Sequence, residues 1–366
     1  MSEIRLVNLR KEFKDVVAVN DVSITFPTSS VTCLLGPSGC GKTTMMRMIA
    51  GLESTTSGEI YIDNDKVTNV PVSKRGIAMV FQYPVVYRGL NAYRNIEVPL
   101  LVDKLPPETR KDRIHNVVEI LGLEDSLYKN VEELDLGTMQ KVAVARAVAR
   151  QSKIILFDEP ITNVDAEAKI QLERALKRLS KQLNQTIVYV THDQTEAMTL
   201  ADQIVLMKDG NIIQFEDPRN LYNFPCNTFG GWFLGNPGMN FFEHSIEKLK
   251  DLSHFSSPLF SSPLEISQLG DSLNGMKKIT IGIRPEKVVL STSRKENMVP
   301  GKVMRKFIVT GGQYLVKVKI DDLIIKAKVN PSLGQQIQEK IWVECPLEWV
   351  SLFKEDGSRL KSGFTI

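Results

Sequence analysis

Long apolar runs are missing from this chain: nothing approaches the roughly eighteen residues that a bilayer-spanning helix needs. An excess of one charge is missing too. The 46 Lys and Arg stand against 43 Asp and Glu, a net +3, and a balance so near neutral argues against a dedicated nucleic-acid binder. Cysteine is scarce. Cys33, Cys40, Cys226 and Cys345 lie far apart without metal-ligand spacing, so they read as free thiols in a reducing cytoplasm. No apolar core follows Met1–Leu6, which already carries Glu3, so no secretory signal is expected there. What remains, 42% hydrophobic and 24% charged, describes an ordinary soluble globular chain. Its 366 residues predict two domains rather than one.

The chain is organised around Gly36-Pro37-Ser38-Gly39-Cys40-Gly41-Lys42-Thr43, which fits the phosphate-binding spacing G-x-x-x-x-G-K-[ST]. Before it, Val31–Leu35 is a short apolar run suited to a buried parallel strand; after it, Thr44–Ala50 has helix-forming character and Gly51 is a natural stop. The glycines let backbone N–H groups turn inward on a phosphate without Cβ clashes. The following helix adds its positive N-terminal dipole. Lys42 is expected to reach the β- and γ-phosphates of a nucleoside triphosphate, and the Thr43 hydroxyl to bind Mg²⁺.

Residues 3–26 read as two strands around a turn, with Phe13 among charged neighbours. Taken alone, Phe13 reads as a core or hairpin residue, although adenine does need a flat surface to stack on. A further strand is expected at Gly58–Asp63, and another at Arg75–Gln82 that ends on Gln82, by itself an unremarkable edge residue. Residues 83–100 look irregular and aromatic-rich, a surface segment suited to docking a partner. Helices are expected from Pro107 to about Leu123 and from about Leu136 to Arg150, the second opened by Asp135 as N-cap.

Ile154–Pro160 is the second decisive stretch: four apolar residues and then Asp158-Glu159 at the strand's C-terminal end, where open α/β sheets bind ligands. Asp158 fits a Mg²⁺-holding acid beside Thr43, and Glu159 is placed to polarise an attacking water. A helix at about Ala166–Leu183 leads to the buried strand Thr186–Thr191, with His192 at its tip. A lone histidine is commonly structural, but this one ends a strand of the same sheet on the ligand side. A short helix and the strand Gln203–Met207 follow. After Gly235 the character changes to short β-type runs (Lys278–Ile283, Gly301–Val309, Tyr314–Ile320 and Leu323–Val329), which predict a small all-β domain; residues 251–276 give no clear period.

The ordered set of the P-loop, Gln82, the helix-opening segment at 134–141, the Asp158-Glu159-Pro160 strand and His192 resembles the ATP-binding cassette family. In detail it resembles the maltose-type sugar importers. The P-loop is of that subfamily's usual form, Asn236–Phe241 sits where its cassette passes into its tail, and Gly282-Ile283-Arg284-Pro285-Glu286 is typical of its OB-like β domain. The resemblance covers nearly the whole chain and is weakest over 243–277. It implies an α/β P-loop NTPase cassette over 1–236, with a helical subdomain at about 88–150, followed by a small all-β OB-like domain, regulatory or dimerising, over 237–366.

The resemblance also implies roles. Phe13 stacks on adenine, and Gly36, Pro37, Ser38, Gly39, Cys40, Gly41, Lys42, Thr43 and Thr44 surround the phosphates of ATP. Thr43, Gln82 and Asp158 hold Mg²⁺; Glu159 is the catalytic base, Gln82 links metal and water to the membrane-facing loop, and His192 contacts the γ-phosphate. Asn163 and Asp165 form the loop that crosses a dimer of cassettes, and 83–95 receives a short helix from transmembrane permease subunits. The chain is then expected as a peripheral protein on the cytoplasmic face of the membrane, with no nucleic-acid partner.

One stretch departs from the pattern. The family's signature, Leu-Ser-Gly-Gly-Gln, binds the γ-phosphate held by the opposite cassette; here Leu134-Asp135-Leu136-Gly137-Thr138 takes its place. An ionised Asp135 only accepts hydrogen bonds, and Leu136 replaces a glycine where backbone must come close, leaving Gly137 and the helix dipole to face the phosphate. The expectation is a heterodimer with a second cassette that carries an intact signature, a tolerant homodimer being the alternative. Two other functions compete: a cassette ATPase acting outside transport, and a mainly regulatory chain with weak hydrolysis.

Overall fold

Runs buried on both faces are what central parallel strands require, and the computed structural model puts three such runs in the middle of one sheet. It describes residues 2–161, 166–182, 185–245, 254–265, 276–309 and 311–360. The runs are β3 (Val31–Leu35), β7 (Ile154–Asp158) and β8 (Thr186–Thr191), every residue of which is buried. With β6 (Ile77–Val80), β9 (Gln203–Lys208) and β10 (Asn211–Glu216) they form a six-stranded sheet ordered β10-β9-β3-β8-β7-β6. All its pairings are parallel except the β9–β10 hairpin.

A second sheet is antiparallel, in the order β2-β1-β4-β5, from β1 (Ile4–Phe13), β2 (Val16–Phe26), β4 (Ser57–Ile62) and β5 (Asp65–Lys66). The apolar face of α1 (Lys42–Ala50), carrying Met45, Met46 and Ile49, joins Ile4, Leu6, Phe26, Leu34, Leu156 and Val188 in one core. The helical part comprises α2 (Ala92–Val102), α3 (Pro107–Leu121) and α4 (Leu136–Ala149), all three mutually packed. On α3, Ile114, Val117, Val118 and Leu121 are buried, the face that the helical period predicts. The long helix α5 (Ala166–Gln182) and the short α6 (Gln194–Leu200) flank β8.

The expectation of irregular chain over 83–100 is corrected here. Only its first part lacks a helix; α2 begins at Ala92, with Asn91 as N-cap accepting from the Arg94 N–H. Ala92, Ile96 and Leu100 are buried at helical spacing, but Pro99 and the surrounding polar and aromatic residues hide that period.

Contacts divide the chain into a unit of Met1–Pro218 and a unit of Arg219–Ile366. The second unit begins within α7 (Pro218–Asn223), continues with α8 (Thr228–Phe233) and is mostly antiparallel β structure. One sheet runs β11-β14-β20, from β11 (Asn240–Ser245), β14 (Lys278–Ile283) and β20 (Ser351–Phe353). The other runs β15-β19-β16-β17-β18, from β15 (Val289–Ser291), β16 (Val299–Ile308), β17 (Tyr314–Ile320), β18 (Leu323–Val329) and β19 (Lys340–Glu344). Within 251–276, the described part pairs β12 (His254–Phe255) with β13 (Leu264–Glu265) and buries Phe255, Leu259 and Leu264 in the unit's core. Three anchors so far apart make no period to read.

Arg284, 2% exposed, holds this unit's helices to its sheet. Its guanidinium donates to the carbonyls of Tyr222, Gly231 and Leu234 and lies 3.9 Å from the Tyr222 ring centroid. A buried charge is tolerable only when hydrogen-bonded in this way.

Candidate functional site

The P-loop leaves β3 and enters α1 at the C-terminal end of the parallel sheet. Gly41, the N-cap, has φ 98°, and a Cβ there would lie 2.0 Å from the Ala18 carbonyl oxygen. A Cβ on Gly36 would lie 2.3 Å from the carbonyl oxygen of Met207. Both positions therefore need glycine, one for conformation and both for space. Lys42 is 5% exposed and donates from Nζ to the carbonyls of Gly36 and Pro37, each at 2.9 Å. No side chain caps α1, and no acid stands in its first turn. An open helix terminus under a glycine loop is what a phosphate requires.

Thr43 follows Lys42 and donates from Oγ1 to Asp158 Oδ1 at 3.0 Å, which joins the P-loop to the end of β7. Asp158 is buried, and burial raises its pKa against the opposing effects of the Thr43 hydrogen bond and the Arg47 charge. A hydroxyl and a carboxylate oxygen side by side suit a hard cation such as Mg²⁺. Among the described residues no group of three or more His, Cys, Asp or Glu could hold a metal by itself. A Mg²⁺ bound by this pair would take its other oxygens from phosphate and water, as that ion commonly does.

Glu159, next along, has φ 46° and donates its backbone N–H to the Val190 carbonyl of β8 at 3.1 Å. This left-handed turn sends the side chain to His192, where Oε2 meets Nδ1 at 3.1 Å. The pair thus bridges the tips of two adjacent parallel strands.

Behind His192 lies a cluster that sequence reasoning missed. Glu196, 2% exposed, accepts from Thr191 Oγ1 at 2.7 Å and Tyr189 Oη at 3.2 Å, and its other oxygen meets Lys169 Nζ at 2.8 Å. Lys169 also reaches Asp193 at 2.7 Å. Burial works against its charge, but the hydrogen bonds to Asp193 and Glu196 raise its pKa. Asp193 in turn caps α6 through the N–H groups of Thr195 and Glu196. No local motif signals this arrangement, because Lys169 stands on a different helix from its partners.

Gln82 lies two residues beyond β6, the neighbour of β7. The adjacent Phe81 carbonyl accepts from Gln140 Nε2 of α4 at 3.0 Å, which ties the helical part to this strand end. Phe13 ends β1 with 44% of its surface exposed, and the Lys11 ammonium lies 4.7 Å from its ring centroid. Its hairpin is the one that meets the P-loop at Ala18. Asn163 and Asp165 lie outside the described residues.

Past Gln82, Tyr83, Val85 and Tyr87 are exposed, while the backbone beneath them is fixed. Buried Asn95 holds both the N–H and the carbonyl of Tyr87, and Arg146 donates to the Val85 carbonyl. At the start of α4, Asp135 closes the helix on itself. Its Oδ1 accepts the Thr138 N–H and its Oδ2 the Thr138 hydroxyl, both at 2.8 Å. The backbone donor of Thr138, then its hydroxyl, hold the Asp135 pKa below its ordinary value. Gly137 is buried and Leu136 exposed.

Comparison with known proteins gives a consistent picture. The family model described as "ABC transporter" matches residues 19–162. The chain is 35% identical to the oligosaccharides import ATP-binding protein MsmX of Bacillus subtilis, over 94% of this chain and 95% of that one. It is 40% identical to the trehalose/maltose import ATP-binding protein MalK of Thermococcus litoralis, over 78% of each. Among solved structures, the ATP-binding cassette MJ0796 in a dimeric post-hydrolysis state with ADP and Pi matches with TM-score 0.53 and 30% identity, covering 59% of this chain and 99% of that one.

Proposed function

The chain belongs to the ABC transporter family of ATP-binding proteins, and from that premise we propose that it powers an importer for a sugar or a related polar solute. Members of this family are ATPases coupled to transport, and this chain is such an ATPase. The import assignment rests on one observation: the likeness to an oligosaccharide import protein over 94% of the chain.

In the proposed mechanism, Phe13 receives adenine and the P-loop N–H groups, Lys42 and Thr44 hold the phosphates. Thr43, Asp158 and Gln82 would hold Mg²⁺, which supplies positive charge to the β- and γ-phosphate oxygens. Glu159 takes a proton from water as its oxygen attacks the γ-phosphorus; the bond to the β–γ bridging oxygen breaks and ADP leaves with that electron pair. His192, held by Glu159 at 3.1 Å, turns its other nitrogen to the γ-phosphate. The segment 83–95, with Tyr83, Val85 and Tyr87 exposed, receives a short helix of the permease, on the cytoplasmic face of the membrane, and Asp165 contacts the second cassette.

The second cassette is proposed to be a different chain. Asp135, at the position where the family's serine reaches the opposite nucleotide, brings a carboxylate whose pKa is lowered by Thr138. Loss of one donor to a buried phosphate costs about 1–3 kcal/mol, and the like charge adds to that cost. Two copies of this chain would make two damaged sites; a partner with an intact signature restores one, over this chain's P-loop. The same observation favours a second reading, a mainly regulatory chain with weak hydrolysis.

The test is phosphate release by the purified chain alone and mixed with a cassette bearing Leu-Ser-Gly-Gly-Gln, together with co-purification of a membrane permease. Activity confined to the mixture, with a permease in the complex, is expected. In the chain alone, Asp135→Ser with Leu136→Gly is expected to raise turnover about tenfold or more, the equivalent of about 1.4 kcal/mol per tenfold. Unchanged turnover would remove the asymmetric pairing, and absence of any permease would remove the importer.

A further inference from the structure

The strand register of the second unit places six cations on one sheet face without an acid among them. Across β16, β17 and β18, Lys302 stands opposite Lys319, which stands opposite Ile324. The next row is Arg305, Lys317 and Lys326, and the one after it is Phe307, Leu315 and Lys328. The alternate residues Val316, Val318, Ile320, Ile325 and Ala327 fill the core, so these nine share the opposite face. On it Leu315 is buried beneath its neighbours, and Lys302, Arg305, Lys319 and Ile324 are the exposed members. The grid measures about 10 by 13 Å from standard strand spacing and rise.

Like charges directly opposite each other on a sheet are destabilising, and here a whole row consists of them. The Asn240 side chain bonds the N–H and carbonyl of Lys326, so these point away from β17. Lys317 and Lys326 therefore face each other as a non-hydrogen-bonded pair, the closer of the two antiparallel kinds. Burial, then the Lys317 charge, lower the Lys326 pKa. Lys302 has Glu339 at 3.0 Å. Among the described residues, no carboxylate lies within ion-pairing distance of Lys317, Lys319, Lys326 or Lys328.

We propose that this face is a docking surface for an acidic segment of a partner protein. A multiply charged anion relieves the row of like charges, and three features favour a protein as its source. The backbone donors of the central strand β17 are committed to its two neighbours and the Lys326 N–H to Asn240, so no nest of N–H groups for a free phosphate forms on this face. A single-stranded nucleic acid wants several aromatic platforms, and the grid has Phe307 alone. At opposite corners stand exposed Ile324 and half-buried Phe307, which suit the apolar ends of an acidic segment. The same Asn240 bonds occupy the edge of β18 at its middle residue, Lys326, which favours a partner on the face over one on the edge.

The test is fluorescence anisotropy of the full chain with a short labelled peptide, a run of glutamates between a terminal leucine and a terminal phenylalanine. It reads the β unit and does not depend on ATP turnover, so its failure leaves the transport assignment standing. Saturable binding at about 0.15 M salt is expected. Lys317→Glu with Lys326→Glu should weaken it about tenfold or more, while Lys104→Glu with Lys111→Glu, a charge-matched control of two exposed lysines in the other unit, should leave it unchanged. If the double reversal does not fold, Lys326→Gln is expected to weaken binding less but measurably. No binding, equal loss in the control, or tighter binding of oligothymidylate or phosphatidylglycerol vesicles overturns the proposal; the last two results mark a nucleic-acid or lipid surface instead.

Discussion

Two helix N-termini in this chain are built in opposite ways. That of α1 is left open: no side chain caps it, no acid enters its first turn, and glycines clear the space above it. That of α4 is closed by the chain's own Asp135, both oxygens of which are taken up by Thr138. Both termini carry the same partial positive charge. The difference lies in what neutralises it, a phosphate still to come in one case and a resident carboxylate in the other. In the proposed two-cassette site, the chain would bring a complete P-loop half and an altered signature half.

On the open side, the largest effect is expected at Glu159. Glu159→Gln keeps the shape and removes the proposed base, so phosphate release by the proposed pairing should fall about 10²–10⁴-fold while nucleotide binding persists. A loss of binding instead would make Glu159 part of the nucleotide pocket and not its base. A smaller effect is expected one layer back. Lys169→Met leaves buried Glu196 without its cation and frees the turn behind His192. Turnover should drop about tenfold with little change in KM, and stability by about 1–3 kcal/mol, with Lys169→Arg recovering most of both. Equal turnover at reduced stability would leave Lys169 a purely structural residue.

These residues differ in how far they could be read beforehand. The P-loop and the Asp158-Glu159 pair were legible because each is contiguous, set between a strand and its turn, so spacing alone encodes the geometry. Asp135 was legible as a cap for the same reason. The irregular reading of 83–100 failed at α2, where Pro99 and buried polar Asn95 break the apolar period that a helix shows in sequence. The Lys169–Asp193–Glu196 cluster was invisible because ion pairs between separate helices leave no periodic trace. Arg284 had its motif, but nothing in that motif says that its partners are the carbonyls of Tyr222, Gly231 and Leu234.

The smallest effect, and the one that separates the two roles of Asp135, is at the closed helix. Replacing an Asp cap with Ala costs about 1 kcal/mol, which lowers Tm by about 2–4 °C in a domain of this size. Serine caps as well as aspartate, so Asp135→Ser should leave Tm nearly unchanged. Because the folded pKa of Asp135 is depressed, the carboxylate's contribution is complete above the ordinary aspartate value of 3.8 and fades as pH falls through the lower folded value. The Tm gap between wild type and Asp135→Ala should therefore be full at neutral pH and narrow in acid; a gap that stays constant would mean that charge has no part in the cap. If the same carboxylate repels the opposite nucleotide, Asp135→Ala should raise turnover while it lowers Tm. Those opposite signs in one variant cannot arise from a loss of fold, so they would assign the hydrolytic effect to the phosphate and the thermal effect to the helix.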